Sequence, residues 1–170
     1  MDVVFLSGPP KAGKSRLRGD LWEVLRASCR RTWHVIDANP DQEGQWVRWA
    51  AKVGRYKEAA ALARKAKNAL KERGCFFSPE WVERMEAQIR GWARWAELMV
   101  LDLGGLPSPE NERLIRAAME RHVPHAVVLH GPDTALVARW EAFWANLGVG
   151  LLYSGPYHEA LARELLGPFM

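Results

Sequence analysis

The sequence is short of cysteine and of long apolar runs, and each shortage excludes something. Two cysteines in 170 residues, Cys29 and Cys75, exclude a disulfide scaffold and a cysteine-rich zinc site, and they point to a reducing compartment. The longest apolar stretches run about six residues, far below the roughly 20 that span a bilayer. No signal-peptide pattern precedes the strand-like run Val3-Val4-Phe5-Leu6. The expected location is cytoplasmic, with no membrane partner. Internal repeats and low-complexity stretches are absent. Ile and Thr are scarce beside Ala, Arg, Leu and Gly, and that bias carries no functional inference.

What is present fits one folded domain over residues 1–170. Apolar residues make up 48% and charged residues 26%, an ordinary globular balance. The net charge is +4, from 24 basic and 20 acidic residues, which does not by itself imply nucleic acid. Its distribution is uneven. Lys52 to Arg73 holds eight basic and two acidic residues, a surplus of +6, so the remainder sums to −2. A solvated helix face is the usual outcome of such a run. The functional alternative is an arm that contacts phosphates of a nucleotide, of RNA or of a cyclic oligonucleotide. The tryptophans, nine in number, stand at helical spacing and read as packing rather than as a stacking platform.

Short apolar runs alternate with helical patterns, which predicts α/β with a parallel sheet. Strands are expected at Val3–Leu6, Trp33–Asp37, Leu98–Leu103, Ala126–His130 and Val149–Tyr153. Ser7 to Ala12 reads as a loop. The first helix is expected from Lys14 to Arg30, with Leu17, Leu21, Val24, Leu25 and Ser28 along its inner face. A helical insertion, about 39–97, follows the second strand as Gln42–Val53, Tyr56–Arg73 and Pro79–Glu97. Ser78-Pro79 and Ser108-Pro109-Glu110 are helix-start signals. The later helices are Pro109–Arg121, Thr134–Asn146 and Glu159–Leu166. The predicted fold is a P-loop three-layer sandwich with five parallel strands in the order 2-3-1-4-5. An alternative inserts strand four between strands one and three.

Gly8-Pro9-Pro10-Lys11-Ala12-Gly13-Lys14-Ser15 fits G-x-x-x-x-G-K-[ST] at every fixed position, after a predicted strand and before a predicted helix. In that context backbone N–H groups and the helix N-terminus meet phosphate oxygens. Lys14 reaches the β- and γ-phosphates, and the Ser15 hydroxyl ligates Mg²⁺. Gly8, Lys11, Ala12, Gly13, Lys14, Ser15 and Arg16 form the nucleotide-binding set, although Lys11 reads more simply as solvated. Asp102 ends an apolar strand and is expected on the metal side with Ser15. The N–H of Gly104 or Gly105 is placed to meet the γ-phosphate. Asp37 ends strand two, where it would act as a base, order a water or hold metal. Asp41 would share that work or cap the next helix. His130 and Gly155-Pro156 would border the base pocket, with a solvated His130 as the simpler reading. Arg113, Arg116 and the Arg55–Arg73 cluster are candidate arginine fingers.

Four stretches resemble the P-loop domain of CRISPR-associated proteins in which it is fused behind a ring nuclease that degrades cyclic oligoadenylate. They are Ser7–Ser15, Asp37–Trp46, Phe77–Val82 and Leu101–Arg113. The last reads Leu-Asp-Leu-Gly-Gly-Leu-Pro-Ser-Pro-Glu-Asn-Glu-Arg and is the narrowest. The resemblance implies an AAA-like ATPase domain that binds ATP at Gly13, Lys14 and Ser15, with Asp102 beside Mg²⁺. It implies a role in antiviral defence beside type III CRISPR signalling. Met1 directly precedes the first strand, so ring-nuclease activity is not carried over, and a separate ring-nuclease partner or a homo-oligomer is expected instead. Pro9-Pro10 also stands where partitioning ATPases carry a second lysine.

Three functions follow. The first is an ATP-hydrolysing accessory domain. The second is a small-molecule or nucleotide kinase with Asp37 as base. The third is a nucleotide-dependent binding module with little turnover.

Overall fold

Alternation along the strands decides the layers. In β1 (Asp2–Ser7), Val3 and Phe5 join one apolar cluster, and Val4 and Leu6 join the other. Successive side chains of a strand point to opposite faces, so a strand buried on both sides reads as a continuous apolar run. β3 (Leu98–Leu103) divides the same way, with Met99, Leu101 and Leu103 on the face of Phe5, and Leu98 and Val100 on the face of Leu6.

The computed structural model describes residues 1–40, 61, 65 and 77–170. The other strands are β2 (Trp33–Ala38), β4 (Val123–Leu129) and β5 (Leu151–Gly155). All five are parallel, in the order β2-β3-β1-β4-β5. This is the order expected from the sequence, and β4 pairs with β1 on the side away from β3.

Five helices are described: α1 (Lys14–Ser28), α2 (Pro79–Trp92), α3 (Pro109–Met119), α4 (Thr134–Asn146) and α5 (Leu161–Leu166). A 3₁₀ turn (Gly167–Phe169) closes the chain. Leu17, Leu21 and Leu25 of α1 share one cluster with Leu161 and Leu165 of α5. Ile89 of α2, Leu114 of α3 and Trp140 and Trp144 of α4 belong to the other. The sheet therefore lies between two helical layers.

Both Ser-Pro starts behave as caps. Ser78 Oγ accepts from the N–H of Trp81, and Ser108 Oγ accepts from the N–H of Asn111. The buried indoles Trp140 and Trp144 are packing residues, as expected.

Several boundaries move. Ser7 belongs to β1 rather than to the loop, because it is buried and continues the ladder to Val128. β4 begins at Val123, since Val123, Pro124 and His125 already pair with Asp2, Val3 and Val4; His130 lies beyond its end. β5 runs from Leu151 to Gly155 instead of from Val149. α1 stops at Ser28, whose side is exposed, so Ser28 is not on the inner face. α2, α3 and α5 are each shorter than expected. The expected helices at 42–53 and 56–73, with the basic run, lie outside the described residues apart from positions 61 and 65, as do Asp41, Cys75 and most of the Asp37–Trp46 block. Among the described residues no helix is long and apolar enough to cross a membrane.

Candidate functional site

Parallel strands deliver all their carboxyl ends to one edge of the sheet, where an α/β protein gathers its loops. Residues 8–13 leave β1 at that edge and turn into α1. Gly8 has φ 135° and Gly13 has φ 93°, values that side chains other than glycine rarely adopt. A Cβ on Gly8 would lie 2.5 Å from the Leu129 carbonyl oxygen, and one on Gly13 would lie 3.3 Å from Cβ of Tyr157. Lys11, at φ 64°, is the left-handed non-glycine residue of the turn, and it is exposed. Pro9 and Ala12 press against Gly131. The turn is thus held between the segments that follow β4 and β5.

Gly13 stands at the N-cap of α1 in the left-handed conformation, with no side chain capping the helix. Among the described residues no side chain accepts from the N–H groups of Ser15 and Arg16, which open the helix beside the turn. Lys14 folds back over the turn, and its Nζ donates to the carbonyl of Gly8 at 2.8 Å and that of Pro9 at 3.3 Å. Ser15 follows on the first turn, partly exposed. The Arg16 guanidinium lies 4.7 Å from the centroid of the Tyr157 ring. The Tyr157 hydroxyl donates to Asp20 Oδ2 at 2.7 Å. That bond, reinforced by burial, raises the phenol's pKa above its ordinary value.

The acidic candidates lie on the α1 face of the sheet. Asp37 pairs with Asp102 in the β2–β3 register. Each follows a residue of the opposite face (Ile36, Leu101), so alternation turns both carboxylates the same way. Arg18 meets them there. It donates through Nη1 to Asp102 Oδ2, and the same nitrogen lies 3.3 Å from Asp37 Oδ1. Arg18 is 4% exposed and Asp102 1%. Asn39 completes the group: its Nδ2 donates to Asp37 Oδ1 at 2.9 Å and to the Asp102 carbonyl at 3.2 Å.

The loop after β3 is held from below. Asn111 Nδ2 donates to the carbonyls of Gly104 at 3.1 Å and Leu106 at 2.7 Å. Trp140 Nε1 donates to the Gly105 carbonyl at 3.2 Å. Gly105 faces Pro10, so this loop borders the turn after β1.

The structure thus brings Gly8, Ala12, Gly13, Lys14, Ser15, Arg16, Gly104, Asp37 and Asp102 to one edge. His130 is exposed, its Nε2 2.9 Å from Ser154 Oγ. Arg113 pairs with Glu86, and Arg116 with Glu112, on the helices packed against the other face. Arg18, Asn39, Asn111 and Tyr157 were not singled out from the sequence. Arg18 had a signal: it follows Lys14 by four residues and precedes Leu21 by three, which places a charge on the apolar stripe.

No protein-family model and no curated protein matches the sequence. Among solved structures the chain is similar to one described as "Crystal structure of APE1195", at 18% identity and TM-score 0.46, over 86% of this chain and 72% of that one.

Proposed function

We propose that this chain is a P-loop NTPase domain that binds ATP by its phosphates through residues 8–15 and hydrolyses it. The observation that carries this reading is Lys14, folded over the turn onto the Gly8 and Pro9 carbonyls at the open N-terminus of α1. The first N–H groups of α1 and the helix dipole offer partial positive charge, and Lys14 adds a full one. A triphosphate is the polyanion that such a turn suits. Gly13 in the left-handed region keeps a Cβ away from the approach.

A magnesium ion, where bound, would neutralise charge on the terminal phosphates. Ser15 would be its protein ligand on α1. Asp102 does not fit that role as it stands, because a carboxylate oxygen of Asp102 accepts from Arg18. This pairing favours a second reading, a nucleotide-dependent binding module with little turnover. For a kinase, Asp37 would have to accept the acceptor's proton, yet its Oδ1 already accepts from Asn39 and lies beside Arg18. The link to cyclic-oligoadenylate signalling is supported by the resemblance of Leu101–Arg113, within which Asn111 holds the loop after β3.

Calorimetry with ATP tests the first step: Lys14→Ala is expected to weaken binding by about tenfold or more, since it removes a charge-assisted phosphate contact. Equal affinity in that variant would overturn the assignment. Phosphate release, followed with and without cyclic tetra-adenylate and nucleoside acceptors, then separates the alternatives. Release alone supports an ATPase, stimulation by the cyclic oligonucleotide supports the signalling role, and a phosphorylated acceptor supports a kinase. Binding without either product supports the low-turnover module.

A further inference from the structure

We infer that Arg18 is a built-in counter-ion for Asp102 and Asp37, standing where a phosphate-binding site would otherwise recruit a divalent cation, so that nucleotide binding by this chain does not depend on Mg²⁺. The inference rests on the nucleotide reading above and specifies its ionic requirement.

The argument begins with the arginine. A guanidinium stays protonated at every accessible pH. At 4% exposure Arg18 has almost no water to share that charge with, so it must be paired where it stands. Among the described residues its pairs are the two carboxylates at the ends of β2 and β3. Leu17 and Leu21 beside it are fully buried, which pins the backbone of this part of α1 against the sheet. The guanidinium cannot be carried away by moving the helix without exposing those leucines.

A divalent cation approaching Asp102 therefore meets one of two obstacles. Either it stands next to a fixed positive charge in a poorly screened place, or it displaces Arg18 and leaves a buried charge with fewer partners. Ser15 makes no hydrogen bond to Asp102 among the described residues; Asp102 Oδ2 is bonded by Arg18 instead. The four-residue step from Lys14 to Arg18 sets the two cations on the same side of α1, one turn apart. One faces the turn, and the other faces the carboxylates.

The test is ATP affinity by calorimetry on the full chain, in EDTA and in excess Mg²⁺, for the parent protein, Arg18→Lys and Arg18→Gln. The parent is expected to bind ATP with affinities within about threefold in the two buffers, and Arg18→Lys to behave likewise because it keeps the charge. Arg18→Gln is expected to bind at least about tenfold more tightly with Mg²⁺ than without, because the carboxylates are released to a cation. A purely structural arginine would lower the unfolding temperature of Arg18→Gln without creating that dependence, and this result overturns the inference. A parent whose affinity rises about tenfold or more with Mg²⁺ overturns it as well, and that arm requires no variant to fold. Failure of the parent to bind ATP in either buffer overturns the nucleotide reading itself and the inference with it, which separates the two failures.

Discussion

Asp37 and Asp102 stand opposite each other in adjacent parallel strands and share the Nη1 of one guanidinium. Like charges in neighbouring register positions repel, and Arg18 turns that repulsion into a clamp. The clamp joins α1 to the ends of β2 and β3, and so ties the helix that begins at the candidate phosphate turn to both strands.

The turn after β1 tolerates no side chain at its first glycine. Gly8→Ala is expected to destabilise the protein by about 2 kcal/mol or more, because it combines a disfavoured φ with a clash against backbone that cannot rotate away. The Leu129 carbonyl oxygen, 2.5 Å from the new Cβ, must shift or the turn must open. Thermal unfolding measures the loss; an unchanged midpoint would show that the turn adopts a different conformation.

Ser7 ties β1 to its neighbour layer. Its hydroxyl donates to the Val127 carbonyl at 2.8 Å and accepts from Trp144 Nε1 at 2.9 Å. Ser7→Ala leaves a fully buried indole N–H without that acceptor, at an expected cost of about 1–3 kcal/mol. Denaturant unfolding should show a lower midpoint with an unchanged slope. A loss well below that range would mean that the indole finds another acceptor.

Stability should fall as pH drops through the imidazole range. His122 is buried, and burial lowers its pKa by more than the bond to the Ala96 carbonyl, at 2.7 Å, raises it. The unfolded imidazole takes up its proton near the ordinary value of about 6.5 while the folded one resists, so the unfolded state binds more protons just below that pH. The contribution of neutral His122 is complete above pH ~6.5 and declines below it. His122→Gln should flatten the fall in melting temperature between about pH 7 and 5.5; an equally steep fall in that variant would assign it to other groups. Asp2 acts lower on the scale. Burial opposes its ionisation, but hydrogen bonds from Arg31 and His125 outweigh it and lower its pKa. Its contribution is complete above the ordinary carboxylate value, declines as pH falls below that value, and is gone once pH has passed through the lowered one.

Tyr157 offers a milder test. Tyr157→Phe keeps the ring against Gly13 and Arg16 and loses the donation to Asp20. A partly exposed bond of this kind contributes about 1 kcal/mol, so the variant should melt slightly lower. A loss several times larger would mean that the hydroxyl, rather than the ring, anchors the segment after β5.

Much of the fold was legible because buried parallel strands announce themselves as unbroken apolar runs. Leu98–Leu103 was read to the residue, and the Ser-Pro dipeptides marked two helix starts. The turn of residues 8–13 was legible because its spacing is covalent and local. Arg18 was not, because its partners are 19 and 84 positions away and are fixed only by strand register. Asn111 escaped for a similar reason: a buried asparagine that props a loop looks, in sequence, like any polar residue in the first turn of a helix. The start of β4 was misplaced because Val123-Pro124-His125 carries less apolar character than its pairing with β1 implies.

The central strand has a consequence for how this chain is made. β1 leaves the ribosome before the other four strands of its sheet, yet its two neighbours are residues 98–102 and 123–128. Every ladder bond of the middle of the sheet must wait for chain synthesised much later. Contacts of such long range fold slowly, and through that interval the apolar Val3–Leu6 segment has no native mate and is open to wrong ones. Slowing elongation ahead of residue 98 should therefore lower the soluble yield, whereas slowing it after residue 129 should not.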